Sequence, residues 1–417
     1  MGDQATYHRP YDAPLTADTE GMARTVSHWV RTSSHASQVG RDAAAAVQAA
    51  RATAGQIATL VLPADASWSQ GGIVAEPLAV PVAPPIDPHA VQNAARILRS
   101  NRNVLLLLAD HATLAPSQRL AWRVARATGA HLLASYTNAH MARGRGRLQL
   151  ERVPYGTDAA IQALSRYEHI ILVNANPPVG FFAYPGKPSM HYPSHAQIHV
   201  LSRYDQDSDA ALQALVDELG APEAAIADPG LRPEAVGGVP TQEGLALTLA
   251  ALMPEHSIVS NESISFGRDF YKLTHAAPAH DWLNLGGGAI GDGLPVSTGA
   301  AVAGGGDRRV ISLQADGSAM YSLQSLWTQA REKLPCTTIL LNNRKYNILI
   351  GEYKNVGAVP GPTAMGMLDL SNPDLDWVRL ANGMGVEAAR ATTLEECADL
   401  MRQSFRQPGP FLIDLII

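Results

Sequence analysis

Two short polar motifs follow successive predicted strands in the last third of the 417-residue chain. Asp316-Gly317-Ser318 comes directly after the first of these strands, and Asn342-Asn343 comes after the second. Parallel strands end at one edge of a sheet, where open α/β sheets bind their ligands. Carboxylate and amide oxygens are suitable ligands for Mg²⁺, which also takes oxygens from phosphate groups. We therefore predict a metal and diphosphate site that contains Asp316 and Asn343.

The residues beside Asp316 suit a phosphate ligand. Gly317 would let the backbone approach a phosphate closely, and Ser318 precedes a predicted helix over 322–333, whose first amides can face an anion. The alternative is that both motifs are ordinary turns, and a lone Asp-Gly pair would favour that alternative. The order of strand, DGS, helix, strand and NN favours the functional interpretation.

Two further segments could contribute to the same site. The sequence GGGAIGDGLP over 286–295 precedes a predicted helix over 294–303, and Asn261-Glu262-Ser263 follows a predicted strand over 257–260. Each segment also has a simpler interpretation. The first could be a glycine-rich loop with a core isoleucine, and the second could be a helix N-cap with a solvated glutamate.

Together these motifs resemble those of the thiamine diphosphate (ThDP)-dependent decarboxylase and acetolactate synthase family, whose cofactor motif runs from GDG to NN. Ala315 stands where the first glycine of that motif is usual. The resemblance implies Mg²⁺ binding by Asp316, Asn343 and the carbonyl of Lys345. It also implies that the Gly288 carbonyl holds the aminopyrimidine and that Ile290 supports the bent shape of the cofactor. The other cofactor-binding residues that it implies are Ser263, Ala289, Gly317, Ser318 and Ile348.

Alternating helices and strands predict an α/β fold with parallel sheets. Predicted helices include 37–54, 117–128 and 242–252, and predicted strands include 104–109, 169–173, 309–314 and 337–341. The resemblance implies three Rossmann-like units of the ThDP-enzyme type, the first incomplete. We expect 1–75 to be the C-terminal remnant of a pyrimidine-binding domain, 76–88 a linker, 89–222 a central domain, 223–240 a second linker and 241–417 the diphosphate-binding domain.

No catalytic residue is assigned. In the family, a glutamate that activates the cofactor lies in the N-terminal part of the pyrimidine-binding domain, and we expect that part to be absent from this chain. Glu20 lies in the wrong context to replace it. The histidines, including His191 and His195, are also left unassigned.

The resemblance implies a ThDP- and Mg²⁺-dependent enzyme similar to acetolactate synthase, which decarboxylates and ligates 2-oxo acids such as pyruvate or benzoylformate. Leu349 stands where pyruvate decarboxylases have a glutamate, which argues against that activity. A benzoylformate-type decarboxylase and a catalytically inactive, truncated ThDP-fold protein remain alternatives. Acetolactate synthases also bind FAD in the central domain, but the middle segment lacks a G-x-G-x-x-G motif, so no motif supports FAD here.

The composition of the chain limits which kinds of partner and which cellular compartment we expect. The formal charge is −6 without a basic run, which argues against nucleic acid. The two cysteines lack metal-type spacing, and the apolar runs are too short to span a membrane. We expect a cytoplasmic protein without membrane association that assembles as a homodimer or homotetramer, as the resemblance implies.

Overall fold

The computed structural model describes residues 1–52, 55–100 and 103–417, and its strands form three sheets. The chain divides into two compact units. One comprises Met1–Asp87 with Ser202–Asp207, and the other comprises Pro88–Leu201 with Ser208–Ile417. The α/β fold class with parallel sheets is confirmed. The five predicted domain and linker segments stay a prediction.

The first unit contains a three-stranded parallel sheet with the order β1-β3-β2. Its strands are β1 (Gly2–Asp3), β2 (Trp29–Thr32) and β3 (Ala58–Pro63). Its helices are α1 (Thr19–Arg24), α2 (Ala36–Arg51) and α3 (Ala64–Trp68), with a 3-10 turn at Arg9–Tyr11. The helix predicted over 37–54 corresponds to α2, and its predicted end at Ala54 lies outside the described residues.

A four-stranded sheet in the second unit has the order β5-β4-β7-β8. The strands of this part of the chain are β4 (Val104–Leu108), β5 (His131–Ala134), β6 (His140–Arg143), β7 (His169–Val173) and β8 (Gln197–Ser202). The helices are α4 (Pro88–Ser100), α5 (Ala115–Thr128), α6 (Thr157–Leu164) and α7 (Ser208–Leu219), with a 3-10 turn at Asp110–Thr113. Every residue of β4 is buried, as its unbroken apolar sequence predicts for a parallel strand covered on both faces.

The same unit contains a seven-stranded sheet with the order β13-β14-β12-β11-β9-β10-β6. Its remaining strands are β9 (Ile258–Glu262), β10 (His280–Asn284), β11 (Val310–Ala315), β12 (Cys336–Asn342), β13 (Glu387–Ala391) and β14 (Phe411–Ile416). All its pairs are parallel except β10 with β6, which are antiparallel. The edge strand β6 comes from the middle of the chain, and the sequence did not predict that it would pair with β10.

Nine helices of the described chain follow α7. They are α8 (Gln242–Leu252), α9 (Phe270–Leu273), α10 (Gly293–Ala303), α11 (Asp316–Ala319), α12 (Ser325–Arg331), α13 (Asn347–Asn355), α14 (Pro362–Met367), α15 (Trp377–Gly383) and α16 (Leu394–Arg406), with a 3-10 turn at Gly286–Gly288. The predicted helix over 242–252 is confirmed as α8, whose N-cap Thr241 accepts a hydrogen bond from Gly244 N. Among the described residues, no helix combines the length and apolarity needed to cross a bilayer.

The buried core of the seven-stranded sheet allows us to predict how much a cavity there would lower the free energy of unfolding. Ile339 of β12 is fully buried among apolar side chains, so Ile339→Ala should lower the free energy of unfolding by about 2–5 kcal/mol. Val359→Ala is the control, because Val359 is 94% exposed and its truncation should change that free energy by about 0.5 kcal/mol or less. Urea denaturation measures both. Equal stability of the two variants would contradict this description of the core.

Candidate active site

Asp316 lies at the carboxyl end of β11 and begins the short helix α11. Its carboxylate is buried and accepts two backbone hydrogen bonds, from Gly317 N to Oδ1 at 2.8 Å and from Arg344 N to Oδ2 at 2.6 Å. Burial raises the pKa of this carboxyl group to about 6, because a low-dielectric environment disfavours the charged form. The Arg344 guanidinium pairs with Asp374 instead, and no ion pair among the described residues includes Asp316.

The loop after β12 reaches the same point. The hydrogen bond from Arg344 N joins this loop directly to the Asp316 carboxylate. Asn343 Oδ1 accepts a hydrogen bond from Lys345 N at 3.0 Å, and the Lys345 carbonyl accepts one from Asn347 N at 2.9 Å. The structure therefore joins Asp316 to the loop that carries the other two predicted metal ligands.

The surroundings of Gly317 and Ser318 differ from the sequence-based interpretation. Ser318 belongs to the separate short helix α11, and the following helix begins only at Ser325, so the predicted start at 322 was wrong. A Cβ at Gly317 would lie 2.6 Å from Cε1 of Tyr346. In this structure the glycine is thus required by the packing of the Tyr346 ring.

Glu262, at the end of β9, organises the glycine-rich turn before α10. Its carboxylate is buried, with 1% exposure. Oε1 accepts a hydrogen bond from Gly291 N at 2.5 Å, and Oε2 accepts one from Gly293 N at 2.8 Å. The proposed alternative of a solvated glutamate is therefore wrong. The carboxylate instead satisfies backbone donors at the start of a helix.

Gln314 extends this arrangement from β9 to β11. Its Nε2 donates to Glu262 Oε2 at 2.8 Å and to Ser318 Oγ at 2.7 Å, with all three side chains buried. The side chain of Gln314 thus connects the glycine turn to the segment that follows Asp316. Sequence reasoning missed Gln314, although a glutamine at the end of an otherwise apolar strand was a readable signal.

A cavity of about 570 Å³ lies beside the glycine turn. Four of the predicted cofactor-binding residues line it: Ser263, Gly288, Ile290 and Ile348. Another part of its wall comes from the middle of the chain and contains four aromatic residues, Tyr136, Tyr155, Phe181 and Phe182. The other predicted residues, which are Ala289, Asp316, Gly317, Ser318, Asn343 and Lys345, are not among its lining residues. The predicted set therefore forms two neighbouring groups, connected through Glu262 and Gln314.

Arg152 supplies a cation to this cavity. Its Nη1 donates to Asn284 Oδ1 at 3.1 Å, and its guanidinium lies 4.4 Å from the centre of the Tyr271 ring. Burial lowers the pKa of Arg152, and no ion pair among the described residues includes it. An anionic group entering the cavity would meet a guanidinium that has no carboxylate partner.

The residues around Asp316 fit a divalent cation. A buried carboxylate without a cationic partner, an amide oxygen and a backbone carbonyl are hard oxygen donors of the kind that Mg²⁺ takes together with phosphate oxygens and water. No cluster of three or more His, Cys, Asp or Glu side chains in the described part of the chain could hold a metal by itself.

Comparison with known proteins decides the family. The chain is 45% identical over 419 aligned residues to IlvX of Mycobacterium tuberculosis, a candidate acetolactate synthase large subunit. The alignment covers 100% of this chain and 80% of that protein. The chain belongs to the thiamine diphosphate-dependent enzyme family. The profile described as "Thiamine pyrophosphate enzyme, C-terminal TPP binding domain" matches residues 265–415.

Two further matches share less sequence identity with the chain. Benzoylformate decarboxylase of Pseudomonas aeruginosa is 31% identical over 214 residues, which cover 50% of this chain and 39% of that enzyme. The structure of a ThDP-dependent 4-hydroxybenzoylformate decarboxylase from Rhodococcus jostii superposes with a TM-score of 0.79 at 23% identity, covering 99% of this chain and 80% of that one. That likeness shows the shared fold.

The hydrogen bonds of Glu262 generate a prediction about stability. Glu262→Ala should lower the free energy of unfolding by about 2–5 kcal/mol, because two buried backbone N–H groups and the Gln314 amide lose their acceptor. Glu262→Gln keeps one oxygen and should cost less. Glu255→Ala, at an exposed glutamate, is the matched control and should be neutral. Urea denaturation that gives Glu262→Ala the stability of the control would contradict the assigned role.

Proposed function

We propose that this chain is a ThDP- and Mg²⁺-dependent enzyme, similar to acetolactate synthases, that acts on 2-oxo acids by decarboxylation and carboligation. The observation that carries the proposal is the buried Asp316 carboxylate. It has no cationic partner among the described residues and is joined to the Asn343 loop. A dianionic diphosphate and a buried carboxylate would repel each other, and a divalent cation between them removes that repulsion.

The predicted residues take complementary roles in this proposal. Asp316, Asn343 and the Lys345 carbonyl would hold Mg²⁺, while Gly317 and Ser318 would face the diphosphate. The Gly288 carbonyl would hold the aminopyrimidine, and Ile290 would support the bend of the cofactor, with Ser263, Ala289 and Ile348 contributing further contacts. When bound, ThDP supplies an electron sink for the loss of CO₂ from a 2-oxo acid.

The chain's own side chains would bind and orient the substrate. Arg152 would attract the carboxylate of a 2-oxo acid, because its guanidinium lies in the cavity without an acidic partner. Apolar side chains of Ile290, Ile348 and Leu349 would exclude water from the same space. Glu262 would act as a positioning residue, since it fixes the turn that carries Gly288 and Ile290.

A benzoylformate-type decarboxylase is the second candidate. Its support is the aromatic wall of the cavity, in which the Phe181 and Phe182 rings pack edge to face with centroids 4.8 Å apart. An aryl side chain could pack against such a wall. A ThDP-binding protein without turnover is the third candidate, because no residue of this chain is assigned to activate the cofactor.

The expected assembly follows from the same resemblance, and the expected location and partners follow from composition. We expect a homodimer or homotetramer in the cytoplasm, with no nucleic-acid or membrane partner. No sequence motif in the middle segment supports FAD binding.

The activity assay separates the candidates. The purified chain with ThDP and Mg²⁺ is incubated with pyruvate or with benzoylformate, and CO₂, acetolactate and aldehyde are measured. We expect acetolactate from pyruvate at a rate that falls at least about tenfold in Arg152→Ala, because the carboxylate loses its cation. Benzaldehyde from benzoylformate without acetolactate would favour the second candidate. ThDP binding without any product would favour the third.

Cofactor binding provides a test that does not depend on turnover. We expect ThDP to bind only with a divalent cation, and Asp316→Asn to weaken binding on the order of 100-fold, because the substitution removes the charge but keeps the shape. Titration calorimetry with Mg²⁺ or with EDTA measures the affinity. Asp399→Asn, at a well-exposed aspartate, is the control and should bind like the unchanged chain. Equal affinity in Mg²⁺ and EDTA would contradict the magnesium site.

A further inference from the structure

The helix α13 forms part of the wall of the cavity of about 570 Å³. Ile348, Leu349 and Glu352 of this helix all line the cavity, because residues three and four positions apart lie on the same face of a helix. Two of these side chains are apolar, whereas Glu352 adds a carboxylate to the same face. The roles proposed above leave this carboxylate unused.

One hydrogen bond holds the Glu352 carboxylate. Tyr184, from the middle of the chain, donates its hydroxyl group to Oε2 at 2.8 Å. The Glu352 side chain is partly buried, but its other oxygen, Oε1, has no hydrogen-bond partner among the described residues and is not enclosed by protein atoms. Oε1 is thus available to a donor group inside the cavity.

Glu352 differs from two other carboxylates in the lining of the cavity. Glu262 is occupied by two backbone N–H groups and by the Gln314 amide. Glu151 has an imidazole beside it, since His275 Nε2 lies 3.3 Å from its Oε1. Glu352 takes part in no ion pair among the described residues. A carboxylate that is partly withdrawn from water without a cation favours a cationic ligand.

The remaining charged side chains of the lining divide by exposure. Arg152 is partly buried, and its guanidinium has no carboxylate partner among the described residues. The others are exposed to solvent, where water and salt weaken their interactions: Arg268, Asp269 and Lys272. The partly buried wall therefore presents one cation, on Arg152, and one carboxylate outside any ion pair, on Glu352.

We propose that the substrate is a 2-oxo acid whose chain ends in an amino group. Its carboxylate pairs with Arg152, and its ammonium group donates a hydrogen bond to Glu352 Oε1. A charge-assisted hydrogen bond of this kind is stronger than one from a neutral hydroxyl group, and a second carboxylate on the substrate would be repelled by Glu352. This inference rests on the proposed function, which acts on the 2-oxo group.

Unreactive probes test this charge preference separately from the reaction. 4-Aminobutyrate, 5-aminopentanoate and 6-aminohexanoate carry both charges at increasing separation but have no 2-oxo group. Each is compared with the alkanoate, the hydroxy acid and the dicarboxylate of the same chain length. Titration calorimetry on the full chain, with ThDP and Mg²⁺ and again without them, measures the affinities. We expect at least one amino acid to bind at least about tenfold more tightly than its three counterparts.

Two variants assign the two ends of the probe. Glu352→Gln removes the charge but keeps the shape, so it should bring the amino acid to within about threefold of its hydroxy counterpart and leave the alkanoate unchanged. Arg152→Ala should weaken the binding of every probe, because all of them carry a carboxylate. Glu255→Gln, at an exposed glutamate, is the matched control and should bind all probes like the unchanged chain. Thermal unfolding checks that the variants are folded.

The outcomes separate this inference from the proposed function. Binding of an alkanoate, hydroxy acid or dicarboxylate as tightly as every amino acid of its length overturns the inference, and so does the absence of binding by all probes. A preference for the amino acid that persists in Glu352→Gln also overturns it, because the ammonium group then binds elsewhere. The proposed function alone fails when the preference is found but no 2-oxo acid, with or without an amino group, is converted.

Discussion

Glu262 carries a carboxylate buried at the carboxyl edge of the seven-stranded sheet, and much of the candidate site follows from the need to hydrogen-bond it. The donors that meet this need are Gly291 N, Gly293 N and the Gln314 amide. Gly293 must lack a side chain, because a Cβ there would lie 2.4 Å from Gln314 Oε1 and 2.7 Å from Glu262 Oε2. The carboxylate thus fixes the start of α10 and, with it, the turn that carries Gly288 and Ile290.

A second buried carboxylate on the same edge, that of Asp316, has different hydrogen-bond partners. Among the described residues, Asp316 accepts hydrogen bonds only from backbone N–H groups, and burial raises its pKa to about 6. Hydrogen bonds to the charged form lower a pKa, but here desolvation is the larger effect. The two carboxylates thus differ in their partners, because Glu262 also accepts a hydrogen bond from the Gln314 side chain, and Asp316 has no side-chain donor among the described residues.

The middle of the chain contributes to the site because its strand β6 pairs with the seven-stranded sheet. β6 lies in the middle of the sequence but pairs with β10, with Met141 opposite Trp282. The residues that follow it, including Arg152 and Tyr155, can therefore line the same cavity as Ile290 and Ile348. The aromatic residues Tyr136, Tyr155 and Phe181 line this cavity as well.

Local sequence patterns determined the regular elements and the motif spacing. The apolar run of β4, the helix over 242–252 and the polar residues after β11 and β12 could all be read from the chain, because each depends on neighbours a few residues apart. Tertiary structure alone decided that Glu262 is buried, that Tyr346 covers Gly317 and that β6 joins a different sheet. It also separated the buried His191 from the exposed His195. Each of these outcomes depends on contacts between residues far apart in the chain, such as Glu262 with Gly291 or Arg143 with His280, and no local periodicity records such contacts.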